Sequence, residues 1–186
     1  MFATQLDDLL AAVKRLDLAR LQGRLDDALA RLAAAAAAAQ PILVCGNGGS
    51  AADAQHIAGE LVGRFLRDRR AIDVRALTAD TAVITAWAND IGYDTVFSRQ
   101  VEAHGRAGGV LVAISTSGNS KNVQAAAEAA RKAGMSVIAL TGEGGGQLAP
   151  LADVLLDVPS RHTPRVQEMH TMLYHYLCEM LERRIC

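Results

Sequence analysis

The chain has 186 residues, 51% of them hydrophobic and 21% charged, with a net charge of −1. That length supports one domain with a well-buried core, and the charge balance gives no electrostatic case for nucleic acid or an acidic membrane surface. Three cysteines without disulfide or metal-like spacing, no basic leader before an apolar segment and no bilayer-length apolar run make a cytoplasmic protein the expectation.

The first forty residues read as helical. Leu6, Leu9, Leu10, Val13, Leu16, Leu18 and Leu21 recur at near-helical spacing, with Gly23 as a candidate interruption. The alanine run 33–39 extends the helix, because alanine is the best helix former, and Pro41 stops it. From there strands and helices alternate. Strands are expected at 42–45, 72–77, 110–114, 135–141 and 154–158. Helices are expected at 50–66, 81–88, 95–104, 120–133 and 163–184. Ser50 is the expected cap of the helix 50–66, with Asp53 in the reciprocal position, and Gly134 closes the helix 120–133. The arginines Arg64, Arg67, Arg69 and Arg70 read as a solvated helix end. Such alternation predicts an α/β domain with a parallel sheet covered by helices on both faces.

Two turns carry the strongest signal. Cys45-Gly46-Asn47-Gly48-Gly49-Ser50 and Ser115-Thr116-Ser117-Gly118-Asn119-Ser120 each follow an apolar run and lead into a helix. Glycines let the backbone approach a ligand, helix N-termini favour anions, and hydroxyls supply oriented hydrogen bonds. Neither turn is a Gly-x-Gly-x-x-Gly or a Gly-Lys-Ser/Thr fingerprint, so the pattern points to a small phosphate ester rather than a nucleotide. In open parallel sheets, ligands bind beyond the carboxyl ends of the strands, where both turns fall. Cys45 beside the first turn reads as a small buried hydrophobe, with a reactive thiol as the alternative.

Other residues leave alternatives open. His56 and Glu60 share one helix face at i,i+4, which suits two metal ligands as well as a solvated pair. The last helix carries Gln167, Glu168, His170 and His175, where a histidine is a satisfied core residue or a ligand. Gln167 and His175 are about 12 Å apart along an ideal helix, so they meet at one ion only if Gln167 reaches over or subunits share the site. Asn89-Asp90 either caps and turns the chain or binds sugar hydroxyls.

The run from Cys45 to Leu61 (Cys-Gly-Asn-Gly-Gly-Ser-Ala-Ala-Asp-Ala-Gln-His-Ile-Ala-Gly-Glu-Leu) closely resembles the SIS domain proteins of the phosphoheptose isomerase type. Ser115 to Ser120, Asn89-Asp90, Thr141-Gly142 and Val166-Gln167-Glu168-Met169-His170 match the same family in order. The resemblance implies a helical segment 1–40 that packs in the oligomer and a single SIS domain at 41–186. For that domain the resemblance implies a flavodoxin-like three-layer sandwich. It implies a homotetramer with sites between subunits and a zinc ion in each, held by His56, Glu60, Gln167 and His175. Substrate contacts are implied for Asn47, Gly48, Gly49, Ser50, Asn89, Asp90, Ser115, Thr116, Ser117, Ser120 and Gln167. The implied reaction converts D-sedoheptulose 7-phosphate to D-glycero-D-manno-heptose 7-phosphate, with no nucleic-acid or membrane partner.

An aldose–ketose interconversion needs a base, an acid and a means of stabilising an enediolate. Glu60 is the expected base and His175 the expected acid, with zinc as Lewis acid. Two other readings suit the same fold: a family regulator that binds the replication initiator, and an isomerase for another sugar phosphate. The full set of ligand types, His175 included, favours the enzyme. Some members of the family carry an acidic residue where Pro164 stands, while others have the Thr163-Pro164 pair found here, which leaves substrate preference slightly open.

Overall fold

A computed structural model describes residues 1–186. Helices α1 (Phe2–Lys14) and α2 (Leu18–Ala37) precede β1 (Ile42–Cys45), α3 (Gly49–Val62), β2 (Val74–Ala76), α4 (Thr81–Asp90) and α5 (Val96–His104). Then follow β3 (Val110–Ser115), α6 (Lys121–Lys132), β4 (Ser136–Thr141), β5 (Val154–Asp157) and α7 (Thr163–Ile185). Short 3-10 turns at Tyr93–Thr95 and Gly146–Leu151, neither of them expected from the sequence, complete the chain. All strand pairs are parallel, in the order β2-β1-β3-β4-β5. No helix is long and apolar enough to cross a membrane.

Both faces of the sheet are buried, which is why its central strands read as unbroken apolar runs. Side chains alternate across the sheet. Ile42, Val44, Val112, Ile114, Ile138 and Leu140 meet α2, α3 and α7 in one cluster. Leu43, Cys45, Leu111, Ala113, Val137 and Ala139 meet α5 and α6 in the other. The order reverses between β1 and β3, and their following helices α3 and α6 lie on opposite faces. The crevice that this reversal opens sits at the carboxyl ends of β1 and β3, between the two Ser/Gly turns.

Several boundaries differ from expectation for local reasons. The N-terminal helix breaks before Leu18 rather than at Gly23, because the Asp17 carboxylate accepts from the Arg20 N–H at 3.1 Å and starts α2. Gly23 stays helical: seven buried residues of α2, among them Leu25, Leu29 and Leu32, outweigh its cost of about 1 kcal/mol. Segment 1–40 therefore divides. α2 packs into the core of its own chain, while α1 leaves Phe2, Leu6 and Leu10 exposed.

Helix α3 stops at Val62, four residues short of expectation. Ser50 does not cap it; Ser50 is buried in its first turn, and Gly48, at φ +56°, takes the cap position. Gly134, at φ +74°, closes α6 as expected, with Met135 N–H reaching the Ala130 carbonyl at 2.9 Å.

Candidate active site

The first turn is shaped by close approach. A Cβ at Gly46 would lie 2.7 Å from the Ser50 carbonyl oxygen, so only glycine fits there. Asn47 is held by its own side chain. Its amide exchanges two hydrogen bonds with Asn122 of α6, both 2.9 Å, and its Oδ1 also accepts from the Tyr93 hydroxyl at 3.0 Å. That amide pair ties the first turn to the helix that opens from the second.

The second turn is braced from β4 and the loop after it. Gly142 N–H donates to the Thr116 carbonyl at 3.0 Å, Leu148 N–H to that of Gly118 at 2.9 Å, and Gln147 N–H to Asn119 Oδ1 at 3.1 Å. Gly118 has φ +67°, and a Cβ there would overlap the Gly145 carbonyl. Ser115 and Ser120 share a hydrogen bond of 3.0 Å between their hydroxyls. Ser120 precedes α6 without capping it by its side chain, so the first N–H groups of α6 remain available to an anion. Ser117 is exposed and Thr116 half-buried on the same turn.

A second group forms where α3 and α7 lie side by side. His56 Nε2 is 3.0 Å from Glu60 Oε1 and 3.4 Å from His175 Nε2, and the three ligand atoms all fall within 4.8 Å of one another. With metal–nitrogen bonds of about 2.0–2.1 Å, a tetrahedron has edges of about 3.3–3.4 Å, so this donor set fits a zinc-sized cation. His56 is partly open to solvent, which leaves room for a further ligand.

Gln167 is not with them. Its carboxamide packs against Gly49 at the start of α3, where a Cβ would overlap it. Gly49 lies seven residues before His56 on α3, and Gln167 eight residues before His175 on α7. Within one chain, then, three of the four expected ligands meet and Gln167 belongs to the first turn instead. Asn89 and Asp90 end α4, exposed, and bond to each other at 2.9 Å rather than to either turn. Tyr93, three residues on, ties that segment to Asn47.

Burial sorts the remaining candidates. The Cys45 thiol is wholly buried and pushed up to about 12, so the reactive-thiol alternative falls and the hydrophobe reading stands. Burial raises Asp53, against the opposing effects of its Tyr174 hydrogen bond and His56. Asp53 thus faces Tyr174 and caps nothing.

His170, also fully buried, is the core histidine of α7. Its Nε2–H donates to the Thr141 carbonyl at 3.1 Å, and burial pushes it down to about 4 from 6.5. The unfolded chain therefore binds this proton first as pH falls. Stability is full above about pH 6.5 and declines by up to about 3 kcal/mol as pH drops toward 4. Thermal melts at pH 7.5 and pH 5 are expected to show this acid loss in the wild type and much less of it in His170→Gln.

With this geometry in place, likeness to known proteins is informative. The SIS domain family model matches residues 2–142. The phosphoheptose isomerase of Rhodospirillum rubrum is 56% identical over 145 residues, 78% of this chain and 77% of that protein. The chain belongs to the phosphoheptose isomerase family of SIS domain proteins. The solved phosphoheptose isomerase of Neisseria gonorrhoeae superposes on this member with a TM-score of 0.91 at 44% identity, covering 98% and 97% of the two chains. That of Francisella tularensis gives 0.87 at 34% identity, covering 98% and 94%.

In this phosphoheptose isomerase family member, the sequence reading missed Asn122, Tyr93 and Tyr174. Asn122 had one signal: it is an amide at the second position of a helix that opens from a phosphate-type loop. The two tyrosines had none, since their partners lie 46 and more than 100 residues away.

Proposed function

We propose that this chain is a heptose-phosphate isomerase that converts D-sedoheptulose 7-phosphate to D-glycero-D-manno-heptose 7-phosphate in the cytoplasm, with zinc held by His56, Glu60 and His175. The observation that carries the reading is the convergence of two imidazoles and a carboxylate at zinc-like spacing in a chain that also carries two braced anion turns. Mixed nitrogen and oxygen donors suit zinc. Bound zinc would polarise the oxygens on C1 and C2 of the open-chain sugar as a Lewis acid.

The residues divide the remaining work. Ser115, Thr116, Ser117 and Ser120, with the α6 N-terminus, hold the phosphate and so fix the sugar chain. Asn47, Gly48, Gly49, Ser50, Asn89, Asp90 and Gln167 bind the sugar. Glu60 takes a proton from C1 of the ketose with the carboxylate oxygen not given to the ion, while His175 gives one from its Nδ1–H to the C2 oxygen, forming the enediol. Glu60 then returns its proton to C2, and His175 recovers one from the C1 oxygen, leaving an aldehyde at C1.

Spacing supports a shared site. Glu60 lies eleven residues beyond Gly49 on α3, about 16 Å along the axis, more than a seven-carbon sugar phosphate spans. A homotetramer in which one copy supplies turns and Gln167 and a neighbour supplies Glu60 removes that difficulty. The exposed apolar face of α1 is available for such packing.

Purified protein stripped with a chelator is expected to lose conversion of sedoheptulose 7-phosphate and to regain it with added zinc. Conversion that survives complete metal removal would refute the zinc assignment. No conversion under either condition would refute the isomerase reading and favour a regulator or another sugar phosphate.

A further inference from the structure

Tyr174 stands behind His56, on the side away from Glu60 and His175. It is 3% exposed. Its hydroxyl oxygen lies 3.0 Å from His56 Nδ1, 3.4 Å from Asp53 Oδ1 and 3.4 Å from Thr171 Oγ1. One hydroxyl proton faces three neighbours. The Asp53 carboxylate only accepts. Thr171 gives its own proton to the Gln167 carbonyl at 3.1 Å, so it too offers Tyr174 a lone pair.

Two arrangements are then possible in principle, and their costs differ. If Tyr174 donated to His56 Nδ1, its lone pairs would face Asp53 with no proton between them. Asp53 Oδ2 is already buried without a partner, so the carboxylate would lose its one hydrogen bond. If Tyr174 donates to Asp53 instead, its oxygen accepts from His56 Nδ1–H and both bonds on this side of the ring are made; on the other side Glu60 Oε1, 3.0 Å from Nε2, competes for the ring proton until a cation takes that place. Edge-on contact between the His56 and Tyr174 rings, 5.3 Å between centroids at 70°, fixes the ring plane as well.

We propose that Asp53 and Tyr174 are positioning residues that hold His56 as the Nδ1–H tautomer, presenting the Nε2 lone pair toward Glu60 and His175 for a divalent cation. This rests on the metal reading given above and adds what holds the far side of His56 once Nε2 is given to the ion. A hydrogen-bonded partner on the far ring nitrogen both orients a histidine ligand and selects its tautomer. Asp53 and Tyr174 touch no substrate in this scheme and act only through His56.

Two measurements on the full-length protein test it. The first is the tautomer of His56 in metal-free, ¹⁵N-histidine-labelled Glu60→Ala protein, where the competing carboxylate is gone, with and without Asp53→Ala; it is read from the imidazole ¹⁵N shifts and assigned by the signal lost when His56→Gln is added. Nδ1–H is expected. Asp53→Ala frees the Tyr174 proton to turn to Nδ1, so the signal is expected to move toward the Nε2–H form. The second is zinc affinity by competition with a chromogenic chelator. Tyr174→Phe keeps the ring and its packing, and is expected to bind zinc about 10–100-fold more weakly than wild type.

An Nε2–H signal in Glu60→Ala would overturn the proposal, as would unchanged zinc affinity in a folded Tyr174→Phe. Should wild type take up no zinc at all, the metal reading fails. The tautomer of His56 and its response to Asp53→Ala then decide the proposal alone.

Discussion

Glu60→Gln is expected to lower turnover of sedoheptulose 7-phosphate by about 10²–10⁴-fold, the usual contribution of a positioned general base. Glutamine keeps the volume of the side chain and a carbonyl oxygen, so helix α3 and its packing survive. What it lacks is a site that takes a proton from carbon. The change is expected in kcat far more than in KM, because the phosphate turns are built from other elements and keep their grip. Steady-state kinetics with zinc content measured on the same sample checks the assignment. Near-normal turnover with zinc still bound would remove Glu60 from the role of base. A parallel loss of zinc and activity, restored at high zinc, would leave it as a ligand alone.

Glu182→Ala is expected to cost about 3–5 kcal/mol, the penalty for stranding one partner of a buried ion pair. Glu182 and Arg69 are almost wholly buried, at 1% and 2% side-chain exposure. The carboxylate accepts three backbone N–H groups, from Phe65 at 2.7 Å, Leu66 at 2.7 Å and Arg67 at 3.0 Å. Burial alone would raise Glu182, but those donors and Arg69 outweigh it and hold the carboxyl below its ordinary range. Arg69 in turn donates to the Glu60 carbonyl at 2.8 Å and the Gly63 carbonyl at 3.0 Å, satisfying the open end of α3. Alanine would leave three backbone donors without an acceptor and the buried Arg69 charge without its counterion. In a domain of this size the melting temperature is expected to fall by about 10 °C. Glu179→Ala makes a control on the same helix: its partner Arg183 is 53% exposed, and its loss is expected to cost under about 1 kcal/mol. Equal melting temperatures for the two variants would mean that the Glu182 network carries no such load.

The same network explains a failure of sequence reading. The arginines after α3 read as a solvated helix end, and Arg64 and Arg67 are indeed exposed. Arg69 is the reverse, drawn inward by a carboxylate more than a hundred residues away. Charge patterning along the chain carries no information about such a partner. Asp53 was misread for a related reason: its spacing from Ser50 matches a capping box, while its real partner is on α7.

The two histidines of the last helix make the contrast sharp. Both sit in an apolar stripe, yet five residues turn the helix by about 140°, so they face different surroundings. His170 points into the core toward Thr141, and His175 points across to His56. Composition and spacing left core residue and ligand open for each; the packing of α7 against α3 assigns one to each role.

By itself the sequence determined the local structure: five strands, the helices between them, the two Ser/Gly turns and the i,i+4 pair of His56 and Glu60. These features depend on residues a few positions apart, where periodicity, glycine freedom and helix geometry act directly. The tertiary structure decided the rest: the order β2-β1-β3-β4-β5, the Asn47–Asn122 bridge between the turns, and the union of His175 with His56 and Glu60. It also set Gln167 against Gly49, away from those three ligands. Each of these contacts joins distant segments, and which distant partner a side chain meets depends on how whole helices pack, which no short stretch of sequence encodes.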